Sequence, residues 1–389
     1  MRVLVCPDKF KGSLTATQAA EAIARGFSEG WPEAECVLCP LADGGEGTLE
    51  VLVRATGGRL VEMEVTGPLG EKRKAPLGIC GDGRTAVVEM AAASGLELIP
   101  PERRDPRWTT TAGTGDLIRG ALELGSSRII VGIGGSGTND GGTGMAASLG
   151  ARFLDREGRE LPPGGGHLHR LERIDLSGLD PRIRKVEIEV ASDVDNPLLG
   201  PEGASRVYAP QKGAGPEDVE LLERGLARLA EVVSGQLEVA EGHGKPDSPA
   251  DPAHMPGAGA AGGLGYGLAV FLGARIRPGI EVVMEAVGFE ELLSASQLVI
   301  TGEGRLDGQT AHGKTVSGVS RRAAERKVPL LALAGEIASG AEVLHRAGLT
   351  AMFCIARGPL SREDSLRQAY PLLASTSREI AQIIRALRG

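Results

Sequence analysis

Apolar runs of strand length alternate with amphipathic stretches at both ends of the chain, and the gaps between them are rich in glycine and charge. Residues 2–6 read as a buried strand. Residues 15–27 place Ala19, Ala20, Ile23 and Phe27 on one helical face, with Ser13 or Thr15 as the N-cap. The unit repeats as a strand over 35–41 and a helix over 48–55. Strand, loop and helix in succession predict a parallel sheet with right-handed crossovers, whose ligands gather at the carboxyl ends of the strands. The same alternation returns late in the chain, with strand 296–301, loop 302–307, helix 316–327, strand 330–334, helix 341–347, strand 351–355 and a terminal helix from about Ser375.

The middle of the chain is patterned differently. Residues 61–65 alternate apolar and polar side chains, a turn at Gly67 and Pro68 follows, and strand-like sequence continues through Ile79 and from Ala86 to Met90. That alternation suggests a sheet with one wet face. Residues 128–131 and 186–191 are further strands, and 217–237 form a helix with Leu221, Leu222, Leu226, Leu229 and Val233 on one stripe. Residues 242–263 are rich in Gly, Pro and Ala and read as a mobile loop near the site. The expected fold class is α/β with two domains. A flavodoxin/Rossmann-like parallel-sheet domain is built from both chain ends (1–62 plus 288–389), and a second α/β domain (63–287) is inserted.

Between strand 128–131 and a helix opening at Thr143 stands the loop Gly132-Ile133-Gly134-Gly135-Ser136-Gly137-Thr138-Asn139-Asp140-Gly141-Gly142. Strand, glycine loop and helix form an anion-binding arrangement, because glycines let consecutive N–H groups turn towards one phosphate or carboxylate beside the positive end of a helix. Gly132, Gly134 and Gly137 satisfy the dinucleotide fingerprint, and Asp155 stands near the spacing expected of its ribose-binding acid. The loop nevertheless runs on through Thr138, Asn139 and Asp140, where a fingerprint would already be helical. A second match, Gly308 to Thr315, fits GxxxxGK[ST], but the intervening loop 302–307 separates it from its strand, which argues against a P-loop fold. Lys314 and Thr315 still begin a helix and can meet an anion there.

Composition narrows the function class. The 389 residues are 41% hydrophobic, enough for two cores, while aromatics are only 3% and glycine supplies 58 residues. A formal charge of −8 gives no basic footprint for nucleic acid or anionic lipid. Five scattered cysteines make a disulfide framework a poor reading and a reducing cytoplasm the expected location; Cys36 and Cys39 form a CxxC inside a strand and read as structural. No signal peptide precedes the first strand, and the apolar run 257–274 reads as a buried helix rather than a membrane span.

Carboxylates recur in the strand-following loops: Asp43 with Glu46, Asp193 with Asp195, Glu303 with Asp307, and Asp140. Such residues are often mere turn formers. Here they pair repeatedly with nearby Lys9, Lys11, Lys212, Arg305 and Lys314. Oxygen ligands for Mg²⁺, cations for a polyanion and many backbone donors are the parts phosphoryl transfer needs, since its catalysis is mostly positioning and charge stabilisation. No Ser/His/Asp hydrolase signature is present.

The loops Pro7-Asp8-Lys9-Phe10-Lys11-Gly12-Ser13-Leu14, Ala42-Asp43-Gly44-Gly45-Glu46-Gly47-Thr48, Gly134 to Gly142, Ser192-Asp193-Val194-Asp195-Asn196-Pro197-Leu198, Gln211-Lys212-Gly213 and Thr301-Gly302-Glu303-Gly304-Arg305-Leu306-Asp307 resemble, in order and over nearly the whole chain, the bacterial glycerate kinases of the GarK/GlxK type. The resemblance implies ATP and Mg²⁺ as cofactors and D-glycerate as substrate, in a cleft between a flavodoxin-like and an inserted domain, with 2-phosphoglycerate favoured over 3-phosphoglycerate. On this reading Asp193, Asp195, Lys9, Lys11 and Arg305 form the catalytic set. Asp8, Ser13, Gly134, Gly135, Ser136, Thr138, Asn139, Asn196, Gln211, Lys212, Gly302, Glu303, Gly304 and Lys314 bind substrate or nucleotide. Asp43, Glu46, Asp140 and Asp307 are the metal set. The expected partners are small molecules only, with no nucleic acid and no membrane, and the expected assembly is a monomer or homodimer. An NAD-dependent dehydrogenase of a small hydroxy acid is the rival enzyme, and a solute-binding or sensor protein the rival outside enzymology.

Overall fold

The computed structural model describes residues 1–239, 252–311 and 315–388. In chain order its strands are β1 (Arg2–Val5), β2 (Glu35–Leu38), β3 (Arg59–Thr66), β4 (Lys72–Ile79), β5 (Thr85–Glu89), β6 (Arg128–Gly132), β7 (Arg152–Leu154), β8 (Arg173–Asp175), β9 (Glu187–Ala191), β10 (Arg275–Arg277), β11 (Leu298–Leu306), β12 (Leu330–Ile337) and β13 (Ala351–Cys354). The chain divides into two compact units. One comprises Met1–Asp43, Glu50–Thr56 and Ile280–Gly389, the other Gly44–Leu49 and Gly57–Gly279.

The first unit carries a five-stranded sheet, β13-β12-β11-β1-β2, in which every neighbouring pair is parallel. Numbered within the unit, this is the order 2-1-3-4-5 of the flavodoxin-like doubly wound fold, as both chain ends predict. Its topological switch point lies between β1 and β11. Val3, Val5, Ile300 and Leu333 from the strands meet Ala19, Ile23 and Phe27 of the helix Ala16–Gly30 in one apolar core. Thr15 caps that helix with a reciprocal bond to Gln18, which satisfies two otherwise orphaned N–H groups. The terminal helix, Ala369–Arg388, starts before Ser375 because the buried positions Ala369 and Leu373 extend its stripe upstream. Burial pushes the Cys39 thiol up to about 12, so the CxxC is inert packing.

Residues 302–306 depart from expectation. They are not a loop: β11 runs on to Leu306 and pairs with β12 as far as Ile337. Gly302 reads as a loop former in sequence but serves the sheet, since a Cβ there would lie 2.2 Å from the Leu333 carbonyl oxygen. Glu303, Gly304 and Arg305 are thereby strand residues. The GxxxxGK[ST] match then begins two residues beyond its strand, which removes the gap that argued against it; residues 312–314, with Lys314, lie outside the described residues.

The second unit holds a six-stranded sheet, β10-β9-β6-β5-β4-β3. β5, β6, β9 and β10 are parallel, while β3, β4 and β5 form an antiparallel meander whose β3 shows the alternation of a half-wet face. Its core gathers Val88, Leu117, Ile129, Val131, Leu226, Leu229 and Tyr266. β7 and β8 form a separate antiparallel ribbon. Of the expected loop 242–263, residues 240–251 lie outside the described residues, and the chain re-enters the core as the buried helix Ala260–Leu272. No helix among the described residues is long and apolar enough to cross a membrane.

Candidate functional site

In the first unit, the loops beyond β1 and β11 flank the switch point, where ligands of such sheets are held. Asp8 follows β1 and is only 8% exposed. One carboxylate oxygen accepts from the Lys9 N–H at 2.6 Å and the other from the Thr315 hydroxyl at 2.5 Å, which ties β1 to the start of the helix Thr315–Glu325. Burial, and then the charge of Asp43, push the Asp8 carboxyl up to about 6. Arg305 lies 3.4 Å from Asp307 and 3.8 Å from Glu336, and more than half of its side chain is exposed. Lys11 is exposed and Lys9 half-buried. Ser13 donates to the Phe10 carbonyl and shapes the turn. Asp8, Lys9, Asp43, Glu303, Arg305 and Asp307 are thus grouped by one edge of one sheet.

Among the described residues no group of three or more His, Cys, Asp or Glu side chains holds a metal by itself. Magnesium brought with nucleotide phosphates needs only one or two protein carboxylates and keeps the rest of its shell on phosphate and water. Asp8 and Asp43 fit that requirement, because two interacting carboxylates, one of them buried, favour a cation between them and the phosphates.

In the second unit, three loops converge where β5, β6 and β9 end. A Cβ on Gly44 would stand 2.5 Å from the Ala191 carbonyl oxygen, and one on Gly134 would stand 2.7 Å from the Gly45 Cα. Only glycine allows that backbone contact, which stacks the loop 44–47 on the glycine loop. Glu89, at the end of β5, fastens the arrangement: its Oε2 accepts from Gly47 N at 3.1 Å and Leu49 N at 3.3 Å, at the head of the helix Thr48–Ala55. Sequence reading missed Glu89, and its one signal is an acid closing an otherwise apolar strand.

The glycine loop is held from within. Asp140, assigned above to the metal set, is fully buried, and its oxygens accept from the Thr111 N–H and hydroxyl and from Gly142 N and Gly144 N. Burial pushes its pKa up and these donors pull it down. A carboxylate so saturated is a structural pin, not an open metal ligand. It also fills the head of the helix Thr143–Ser148, so the positive helix end expected to greet a ligand is already used.

Ser136, Thr138 and Asn139, expected to bind ligand, are likewise buried and turned inward. Ser136 accepts from Thr138 N, and the Asn139 amide donates to the Ser205 hydroxyl. Lys212 is buried beneath them. Its Nζ donates to the Thr138 carbonyl at 2.6 Å and to the Ser136 hydroxyl at 3.3 Å, while burial pushes its pKa down to about 7 against the opposing charge of Asp140. The accessible part of the loop is therefore its backbone at Gly134 and Gly135.

From the end of β9, Asp193 accepts from Gly279 N at 2.8 Å, and Asp195 is exposed. Asn196 is used on both sides, accepting from the Tyr208 hydroxyl and donating to the Glu202 carbonyl. Gln211 and Glu46 are exposed.

The dinucleotide reading fails on topology. The strand after the glycine loop's helix is β7, which pairs antiparallel with β8 instead of extending the parallel sheet. Asp155 accepts from Glu157 N and Arg159 N in the turn beyond β7, so it shapes a hairpin and is not a ribose acid.

Comparison with known proteins places the chain in a family. The sequence profile of the Glycerate kinase family matches residues 3–385. A glycerate kinase of Bacillus subtilis (strain 168) is 49% identical over 385 residues, covering 99% of this chain and 98% of the relative. A glycerate 2-kinase of Escherichia coli (strain K12) is 48% identical over 381 residues, covering 98% and 97%. A crystal structure of a glycerate kinase 2 candidate from Salmonella typhimurium LT2 superposes with a TM-score of 0.88 at 47% identity, covering 100% of this chain and 99% of that one. Matches that span the chain, in sequence and in fold, show that the chain belongs to the Glycerate kinase family and is a kinase.

Proposed function

We propose that the chain transfers the γ-phosphoryl group of ATP to the 2-hydroxyl of D-glycerate, with Mg²⁺, giving ADP and 2-phosphoglycerate. The observation that carries the reading is the mixed cluster at the β1/β11 edge, where Asp8 and Asp43 would hold magnesium and Lys9, Lys11 and Arg305 supply the charge a polyphosphate needs. The name of the 48% identical glycerate 2-kinase supports the choice of the 2-hydroxyl.

In this account the glycerate 2-hydroxyl oxygen attacks the γ-phosphorus as the bond to the ADP oxygen breaks, and Asp193 or Asp195 accepts the hydroxyl proton. Bound magnesium would shield the β- and γ-phosphate oxygens and so lower the charge on the leaving group. Lys9, Lys11 and Arg305 neutralise phosphate and carboxylate. Glu46 and Asp307 are further candidate metal contacts. Glu303, Gly304 and Gln211 line the substrates, Gly302 serving the sheet beneath them, and the Gly134–Gly135 backbone presents donors to a phosphate or the glycerate carboxylate; Lys314, assigned to the same set from sequence, lies outside the described residues. A loose transition state leaves little for a strong base to do, so a carboxylate of ordinary basicity suffices.

The test is ADP release in the presence of ATP, Mg²⁺ and D-glycerate, with NADH titrated in parallel. ADP release that depends on D-glycerate is expected; its absence, or tight NADH binding without an ATP response, overturns the reading.

A further inference from the structure

Lys212 is the only basic side chain among the buried described residues, with 2% of its surface exposed. It ends the turn Pro210–Lys212, and a buried ammonium there is an expensive choice: an apolar side chain of like length would fill the space without desolvating a charge. What the amine adds is two hydrogen bonds, to the Thr138 carbonyl and the Ser136 hydroxyl. Ser136 directly follows Gly134 and Gly135, the only accessible stretch of the loop between Gly132 and Asp140, and Thr138 stands two residues beyond Ser136. From the other side Asp140 holds Thr111, Gly142 and Gly144. The loop is therefore held at its middle by a buried cation and at its helix end by a buried anion.

We propose that Lys212 is a positioning residue for phosphoryl transfer: it sets the direction of the Gly134–Gly135 backbone donors from beneath the loop and touches neither substrate. The inference rests on the reading that this backbone lines the substrate site. It replaces the direct binding role assigned to Lys212 from sequence, because a side chain enclosed by its own loop has no free path to a ligand. The conformation it secures is one that glycine leaves open: Gly135 has φ +75° and Gly141 and Gly142 are also left-handed, so the backbone alone does not fix where these N–H groups point.

The test compares Lys212→Ala and Lys212→Met with the wild type in the kinase assay, each checked for folding by circular dichroism, with ethylamine or propylamine added to the alanine variant. Loss of two bonds from a charged donor should lower kcat about 10- to 100-fold. KM for both substrates should move far less, and the small amine should restore part of kcat in Lys212→Ala by occupying the vacated space. Lys212→Met keeps the volume and loses the donor, so it should stay impaired.

A Gly135→Val variant separates the two claims. If it keeps full activity, the loop is not part of the site and the underlying reading falls. If it is inactive while folded Lys212→Ala or Lys212→Met keeps wild-type kcat, the positioning role alone falls. Recovery in Lys212→Met shows a packing role and overturns the proposal, as does failure of both variants to fold or of amines to raise kcat in folded Lys212→Ala.

Discussion

Replacing Asp140 by Asn separates a structural pin from a metal ligand with a change of one atom. Oδ2 accepts from Thr111 N at 2.8 Å and Gly144 N at 3.2 Å, and Oδ1 from Gly142 N at 3.1 Å. The Thr111 hydroxyl reaches both oxygens. Asparagine must turn its NH₂ towards one of these N–H groups. Its better orientation keeps the amide oxygen at the Oδ2 position and leaves Gly142 N facing a donor. One orphaned buried N–H costs about 1–3 kcal/mol, and the surviving bonds lose the strength that an ionised acceptor gives them. Lys212 also loses its nearby anion. A total of about 3 kcal/mol, at roughly 3 °C per kcal/mol for a unit of this size, lowers Tm by about 9 °C. Circular dichroism melts of wild type and Asp140→Asn, with kcat measured over a Mg²⁺ titration, read out both roles. The pin predicts a large fall in Tm and an activity loss that excess Mg²⁺ does not repair. An unchanged Tm with activity restored by Mg²⁺ would refute the reasoning and return Asp140 to the metal set.

Three further perturbations follow from the same geometry. Asp8 titrates near 6 in the folded chain against an ordinary 3.8, so the stability it contributes is full below about 3.8 and is lost as pH rises through about 6. Asp8→Asn, whose oxygen can accept from Lys9 N while its NH₂ donates to the Thr315 hydroxyl, should therefore melt higher than wild type at pH 8, by at most about 3 kcal/mol at about 1.4 kcal/mol per pH unit, while losing kinase activity. A gain in Tm as large at pH 5 as at pH 8 contradicts this. Glu89→Ala removes the acceptor for Gly47 N and Leu49 N, with a stability cost of about 1–2 kcal/mol by analogy with a lost helix cap and a roughly tenfold lower kcat, whereas Glu89→Gln retains an acceptor and most of both. Equal damage from the two variants shows that charge, not the hydrogen bonds, is what Glu89 provides. Asp193→Asn should lower kcat far more than it raises KM, and near-wild-type turnover removes Asp193 from the chemistry.

The parallel sheet of the first unit is legible because each strand of 2-1-3-4-5 is a short apolar run followed by a helix-period stretch, and that alternation admits few topologies. Residues 302–306 are less legible. Glycine at two of five positions looks like a loop, and only the closeness of Leu333 reveals that the absent side chains serve a sheet. The carboxylates show the same ambiguity in stronger form. Asp43 and Asp140 both sit beside glycine or asparagine after a strand, yet Asp140 is saturated with internal donors while Asp43 faces the like charge of Asp8 at a sheet edge. The donors around each carboxylate separate these cases, and they come from partners distant in sequence, such as Thr111 for Asp140 and Gly47 for Glu89. Ser136, Thr138, Asn139 and Lys212 all stand in the set assigned from sequence to substrate or nucleotide, yet Ser136 and Lys212 bond to the loop itself and Asn139 bonds to Ser205.

The central claim is phosphorylation of D-glycerate at its 2-hydroxyl, and the proton-coupled phosphorus spectrum of the product tests it most directly. Phosphorus on the C2 oxygen is split by a single carbon-bound proton into a doublet; phosphorus on the C3 oxygen is split by two into a triplet. The account predicts a doublet that grows as ADP appears and needs Mg²⁺. A triplet would move the reaction to the 3-hydroxyl, and no new phosphoester signal at all would contradict the assignment of this site to glycerate phosphorylation.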